Sequence, residues 1–251
     1  MSSYKLLRRV FVWELPVRVY HWINALAITT LCVTGYMIGK PPAIMFGGEA
    51  WERHLFGWIR YVHFVAAYIF VFNFIFRIYW GFVGNKYADW KNFIPTNRRY
   101  FQQMWEVLKI DIFQTKPGGH MSVGHNELAG FIYFFTFLAF LAQVITGFAL
   151  YEPMSDSWFA GMFSWVVPLF GADSYVRNIH HILMWFFILF TIIHVYLVFY
   201  HDYVEGRGEI SSMGGGWKFI EEDAFEAHQK REAEEKAAEE KAATEKNNKA
   251  A

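Results

Sequence analysis

The sequence predicts an all-α membrane protein, a bundle of four transmembrane helices, and three features carry that prediction. Four segments are long and apolar enough to cross a hydrocarbon core of about 30 Å, at about residues 19–38, 57–83, 128–151 and 176–203. The composition is 55% hydrophobic and 21% aromatic with 18% charged residues, and the charge gathers after about Gly206, so the body is more apolar than the average. Histidines recur inside the apolar segments, where an ionisable side chain is costly and marks function.

The same composition excludes several classes. A formal net charge of zero gives no reason to expect a nucleic-acid partner. The one cysteine, Cys32, lies in an apolar run. A disulfide framework, a thiolate metal site, an iron–sulfur cluster or a C-x-x-C-H haem attachment within this chain is therefore ruled out, and a metal centre has to rest on histidine. The first apolar run has spanning length and lacks a small-residue cleavage site, so it reads as a retained helix and not as a signal peptide.

Taken in order, residues 1–18 form a basic arm with Lys5, Arg8, Arg9 and Arg18. The first span ends where Lys40-Pro41-Pro42 and Gly47-Gly48 punctuate the chain. After the second span comes a long mixed loop from Gly84 to Gly124, in which Arg98 to Phe113 reads as an amphipathic surface helix. Trp90, Tyr100, Phe101 and Trp105 suit the headgroup level there. The third loop, Glu152 to Ser174, holds Trp158, Trp165 and Pro168 and reads as partly re-entering the interface. The expected division is an arm at 1–18, a membrane domain at 19–205 and a charged tail at 206–251. From Glu221 onward the tail is rich in Ala, Glu and Lys and suits a solvated helix or a disordered arm. No internal repeat is evident. Lys and Arg crowd the arm and the second loop, so both termini are expected in the cytoplasm.

Depth sorts the histidines into pairs. In one continuous helix His180 and His194 lie about 40° apart around the axis and about 21 Å apart along it, so both imidazoles face one way at two depths. His63 enters the second span from the same side as His180, and both sit roughly 6 to 9 Å below that surface. His21, near the cytoplasmic start of the first span, matches His194 near the end of the fourth. With no other ligand type on these helices, two haem b groups held by His63/His180 and His21/His194 fit better than zinc or copper. Two other arrangements stand beside this one. Each histidine alone suits a helix–helix hydrogen bond. His194 and His201 also share a face, but their rise of about 10.5 Å is short for two stacked haems.

Arg18, Arg60 and Arg177 each fall within a turn of a proposed ligand and suit haem propionates, or plain topological flanking charge. His181 faces away from His194 and reads as a propionate or interhelix partner. Gly35, Gly81 and Gly147 would allow close approach of a haem or a helix. His125, Asn126 and Glu127 open the third span; they suit either a proton donor beside a quinone carbonyl or an N-terminal cap with interface residues.

Several stretches together resemble one family, the cytochrome b subunit of membrane-bound, uptake-type NiFe hydrogenases. They are Arg18-Val-Tyr-His21-Trp22 with Thr34-Gly35-Tyr36, and Arg60-Tyr-Val-His63-Phe64 with Arg77-Ile-Tyr-Trp80. Gly124-His125-Asn126, Thr146-Gly147-Phe148-Ala149-Leu150-Tyr151, His180-His181 with Trp185, and His194-Val-Tyr196 complete the set. The resemblance covers about residues 10 to 205. It implies a four-helix di-haem b anchor in the bacterial inner membrane. Such an anchor takes electrons from the iron–sulfur small subunit of a periplasmic hydrogenase, beside its large subunit, and passes them to menaquinone or ubiquinone. The gamma cytochrome b subunit of a formate dehydrogenase keeps the haems and changes the partner. A haem-free membrane anchor, or a transporter with a histidine proton path, is a reading of a different class.

Overall fold

The computed structural model describes residues 6–41, 54–95, 98–109 and 123–230, with isolated positions 233, 234, 237 and 244 beyond. Four long helices dominate it. They are α1 (Leu15–Gly39), α2 (Leu55–Val83), α4 (Glu127–Tyr151) and α7 (Asp173–Glu205), each long and apolar enough to span a bilayer. The expected ends at 83 and 151 hold, and the other boundaries move outward by one to four residues. Pro16 in its first turn, where a missing N–H costs nothing, lets α1 begin at Leu15. Asn126 caps α4, its Oδ1 accepting the Ala129 N–H at 2.7 Å. The last turn of α7 closes on Gly206 at φ +63°, a left-handed conformation that favours glycine.

α1 packs on α2 and α7, and α4 on α7. Rings fill the middle of the bundle: Phe70 and Phe74 of α2, Phe140 of α4 and Phe187 of α7, with Ala27 of α1. Phe140 stacks on Phe187 at 4.8 Å between centroids and meets Phe70 edge-on at 5.0 Å, geometries that aromatic quadrupoles prefer. Outward faces carry Leu26, Phe72, Phe82, Ile182, Leu189 and Phe199, all exposed, as lipid-facing positions should be.

Between the spans, α3 (Arg98–Val107) covers the first part of the expected surface helix and packs on α4; 110–113 fall outside the described residues, as do Pro42, Gly47 and Gly48. In the third loop two short helices, α5 (Trp158–Gly161) and α6 (Val166–Phe170), leave Trp158, Trp165 and Leu169 exposed and tuck Ala160 and Val166 against α4 and α7.

The end of the bundle that carries the termini differs from the expected plain arm and tail. Strand β1 (Leu7–Phe11) pairs antiparallel with β2 (Trp217–Glu221), and α8 (Glu209–Gly215) joins β2 to α7. Val12, Trp13, Val123, Ile220 and Phe225 form one buried cluster beneath this sheet. Glu14 ties the arm to α2, its Oε2 accepting from Trp80 Nε1 at 3.1 Å and the Asn85 N–H at 2.9 Å. Residues 209–221 thus belong to the folded body. Five-residue strands more than 200 residues apart carry no local signal of their pairing.

Lys218 is only 3% exposed and pairs with Glu209 Oε2 at 2.7 Å. Removing one partner of such a pair leaves a buried charge uncompensated. Glu209→Ala should cost about 3 kcal/mol and lower the apparent melting temperature in detergent, while Glu209→Ala with Lys218→Met should restore most of it.

Candidate functional site

One pair of histidines lines a common cavity inside the bundle and a second pair stands ring near ring, at two levels of α7. Toward the end away from the termini, His63 of α2 and His180 of α7 line one cavity of about 1030 Å³. Its wall includes Ile28, Leu31, Phe70, Val144 and Phe187, with Arg60, Arg177 and His181 among its polar residues. Each imidazole is held from behind by a threonine and cleared by the next residue, a glycine. His63 Nδ1 lies 2.8 Å from Thr34 Oγ1, and His180 Nδ1 lies 3.0 Å from Thr146 Oγ1. A Cβ at Gly35 would stand 3.3 Å from His63 Cε1, and one at Gly147 3.0 Å from His180 Cε1. The rings therefore press on backbone that has no side chain to displace. Thr-Gly on α1 serves the histidine of α2, and Thr-Gly on α4 serves that of α7. This is a spatial repetition that reading the chain for repeats does not find, because the intervening lengths differ.

Toward the termini, His21 of α1 and His194 of α7 stand 6.3 Å apart between ring centroids, tilted by 51°. Two imidazoles trans on one metal, with bonds of about 2.0 Å, would place their ring centres about 6 Å apart. Phe190 stacks on His194 at 5.7 Å, Tyr133 sits 6.4 Å from it, and His21 Nδ1 is buried with no hydrogen-bond partner. Among the described residues no group of three or more His, Cys, Asp or Glu converges, so the arrangement suits two axial imidazoles and not a tetrahedral zinc. A haem held by two imidazoles would call for a histidine from each of two helices, apolar walls and cations at the margin, and the residues present fit it.

The other predicted residues are placed as follows. Arg60 and Arg177 line the cavity; Arg60 reaches Met154 Sδ, and Arg177 pairs with Asp173 at 3.1 Å. Arg18 donates to the Gly214 carbonyl and Trp22 to that of Met213, so the flanks of His21 hold α8. His181 lies against Gly39 of α1, an interhelix contact, and His201 turns Nδ1 to the Leu197 carbonyl of its own helix. Gly81 makes room for Trp90 and not for a haem. Asn126 is committed to its cap, and the Glu127 carbonyl accepts from the Tyr100 hydroxyl at 2.7 Å. Burial, with Glu127 nearby, raises that phenol to about 12.

His125 is enclosed by Trp13, Phe93 and Tyr133 at 4.8, 5.5 and 4.8 Å. Burial brings its pKa down to about 3, and the charges of Lys218, Arg77, His194 and His21 push the same way, so the ring is neutral. Sequence reasoning missed Arg77 as a site residue. Its guanidinium lies between Trp90 and Phe93 at 5.0 and 5.1 Å and donates to the Ala88 carbonyl, while NH1 is buried without an acceptor. A cation inside a span was the available signal.

Comparison with known proteins follows the same residues. A family model described as prokaryotic cytochrome b561 matches residues 12–216. The chain is 41% identical over 223 residues to the probable Ni/Fe-hydrogenase B-type cytochrome subunit of Cupriavidus necator, covering 87% of this chain and 90% of the relative. Its counterpart in Azotobacter vinelandii is 40% identical over 220 residues, with 85% and 90% covered. The probable Ni/Fe-hydrogenase 1 B-type cytochrome subunit of Escherichia coli K12 is 36% identical over 214 residues, with 83% and 90% covered.

The neutral His125 carries a pH dependence whose sign is fixed. Its folded pKa lies below the ordinary value of 6.5, so the unfolded chain takes the proton first. The stability is full above about 6.5 and falls as pH drops toward 3, by up to about 1.4 kcal/mol per pH unit from this group. Melting curves from pH 7 to 4 should therefore fall less steeply for His125→Asn than for the wild type.

Proposed function

As a member of the prokaryotic cytochrome b561 family, the chain is a multi-pass protein of the bacterial inner membrane with the electron-transfer role of a b-type cytochrome, and we propose that it links a Ni/Fe hydrogenase to the quinone pool. The partner reading rests on its relatives, which are named as Ni/Fe-hydrogenase subunits, and favours that enzyme over formate dehydrogenase. The observation that carries the rest is the pairing of four intramembrane histidines from three spans, with α7 serving both pairs.

Haem b is the cofactor that a b-type cytochrome implies. Held by two imidazoles it would supply a one-electron carrier, and the chain would relay electrons to and from it without activating hydrogen itself. His63 and His180 would hold one such group and His21 and His194 a second. Arg60 and Arg177 line the cavity and would meet carboxylates at its margin, while Arg18 is drawn to α8. With both termini in the cytoplasm, the His63/His180 level faces the periplasm, where the iron–sulfur small subunit and the large subunit would dock. The other pair faces the cytoplasm, where menaquinone or ubiquinone would be reduced.

His125 and Glu127, at the start of α4, belong to the quinone reading, and Asn126 supports them from its cap. A neutral His125 would hold a quinone carbonyl through an N–H hydrogen bond, and the protons would come from the water side.

Haem quantitation of the purified chain tests the pairing. The wild type should hold two haems. His63→Ala and His180→Ala should each lose the same one, and His21→Ala and His194→Ala the other. Retention of both haems in any one variant removes that histidine from the scheme.

A further inference from the structure

The hydroxyls of Thr34 and Thr146 decide where the protons of two imidazoles sit. Thr34 Oγ1 lies 2.6 Å from the Thr30 carbonyl, and Thr146 Oγ1 lies 2.7 Å from that of Ala142. A carbonyl only accepts, so each hydroxyl proton is committed to its own helix. The oxygen that faces His63 Nδ1 at 2.8 Å, or His180 Nδ1 at 3.0 Å, is then left as an acceptor. Both rings must therefore carry their proton on Nδ1 and leave Nε2 bare. Gln143 agrees independently: its Nε2 lies 3.2 Å from His180 Nε2, an amide donor facing the nitrogen that this tautomer leaves as acceptor. Among the described residues neither His21 nor His194 has a hydrogen bond at either ring nitrogen, and His21 Nδ1 is buried and unpartnered.

We propose that Thr34 and Thr146 are positioning residues that lock His63 and His180 in the Nδ1–H tautomer and thereby set the haem they hold at a lower reduction potential than the one held by His21 and His194. The inference rests on the bis-histidine reading above. An imidazole that donates its second N–H to oxygen becomes a more basic ligand. A more basic ligand stabilises ferric over ferrous iron, and the potential falls. Among the described residues, only the His63/His180 pair has this support. Electrons delivered at the His63/His180 level would then run downhill toward the termini. The glycine after each threonine lets the ring reach the hydroxyl, so Thr-Gly works as one unit on α1 and on α4.

Redox titration of the haem α-band in the purified full-length chain tests this, with Thr34→Val and Thr146→Val against Thr34→Ser and Thr146→Ser. The expected result is two potentials in the wild type. The lower should rise in each valine variant and return in each serine variant, while the upper stays where it was and haem content remains at two. Unmoved potentials with both haems retained overturn the proposal. So does a shift confined to the haem that is lost in His21→Ala. A wild-type chain without haem would instead sink the bis-histidine reading. Should a valine variant lose its haem, the wild type still decides. Electron–nuclear double resonance should find exchangeable imidazole protons that are hydrogen-bonded at the lower-potential haem, and their absence there overturns the proposal.

Discussion

An imidazole in hydrocarbon has two nitrogens to satisfy and no water to do it, and much of this bundle is arranged around that constraint. At His63 and His180 one nitrogen is met by a threonine whose own proton is returned to its helix, and the adjacent glycine brings the ring close enough to be met. Both rings line one cavity, and at His180 the other nitrogen lies 3.2 Å from the Gln143 amide. At His21 and His194 the rings meet aromatic faces and each other, and one buried nitrogen is left without a partner.

The helices are held between the two levels chiefly by rings, with the Asn73 amide of α2 donating to the Tyr20 carbonyl of α1 at 3.0 Å. Phe70, Phe74, Phe140 and Phe187 form an apolar layer, and along α7 Phe187 falls between His180 and His194. Tight aromatic packing in the centre keeps α2, α4 and α7 at fixed spacing. The same packing fixes α2 against α7, which carry His63 and His180. Lipid contributes little to helix association, since it is as apolar as the side chains it touches, so this layer carries much of the order.

At the end with the termini the polar groups are shared among distant segments. Glu14 collects donors from α2 and the turn after it, Lys218 pairs with Glu209 over Trp13, and Arg18 and Trp22 reach the carbonyls that end α8. His125 lies within this layer and is kept neutral by it. The first and last described segments of the body thus close over the His21/His194 level. Substitution there would be felt at the site even without touching it.

Apolar runs of spanning length and histidines at matched depths were readable directly, because both are one-dimensional: length sets a span, and a rise of about 1.5 Å per residue sets a depth. From these came four helices and the expectation of two histidine pairs; the family was legible in the motifs, by resemblance. The β1–β2 pairing, the place of α8 on His21's flanks and the repeated Thr-Gly support were decided only by tertiary structure. Strand pairing across almost the whole chain leaves no local pattern, and a hydroxyl of one helix finds a ring of the next only after both have packed. For Asn126, whose type suits a cap and a quinone contact equally, the observed bond to Ala129 showed which use the fold makes of it. Sequence fixes which side chains stand at which depth on each helix; the rotation of one helix against another fixes which of them meet.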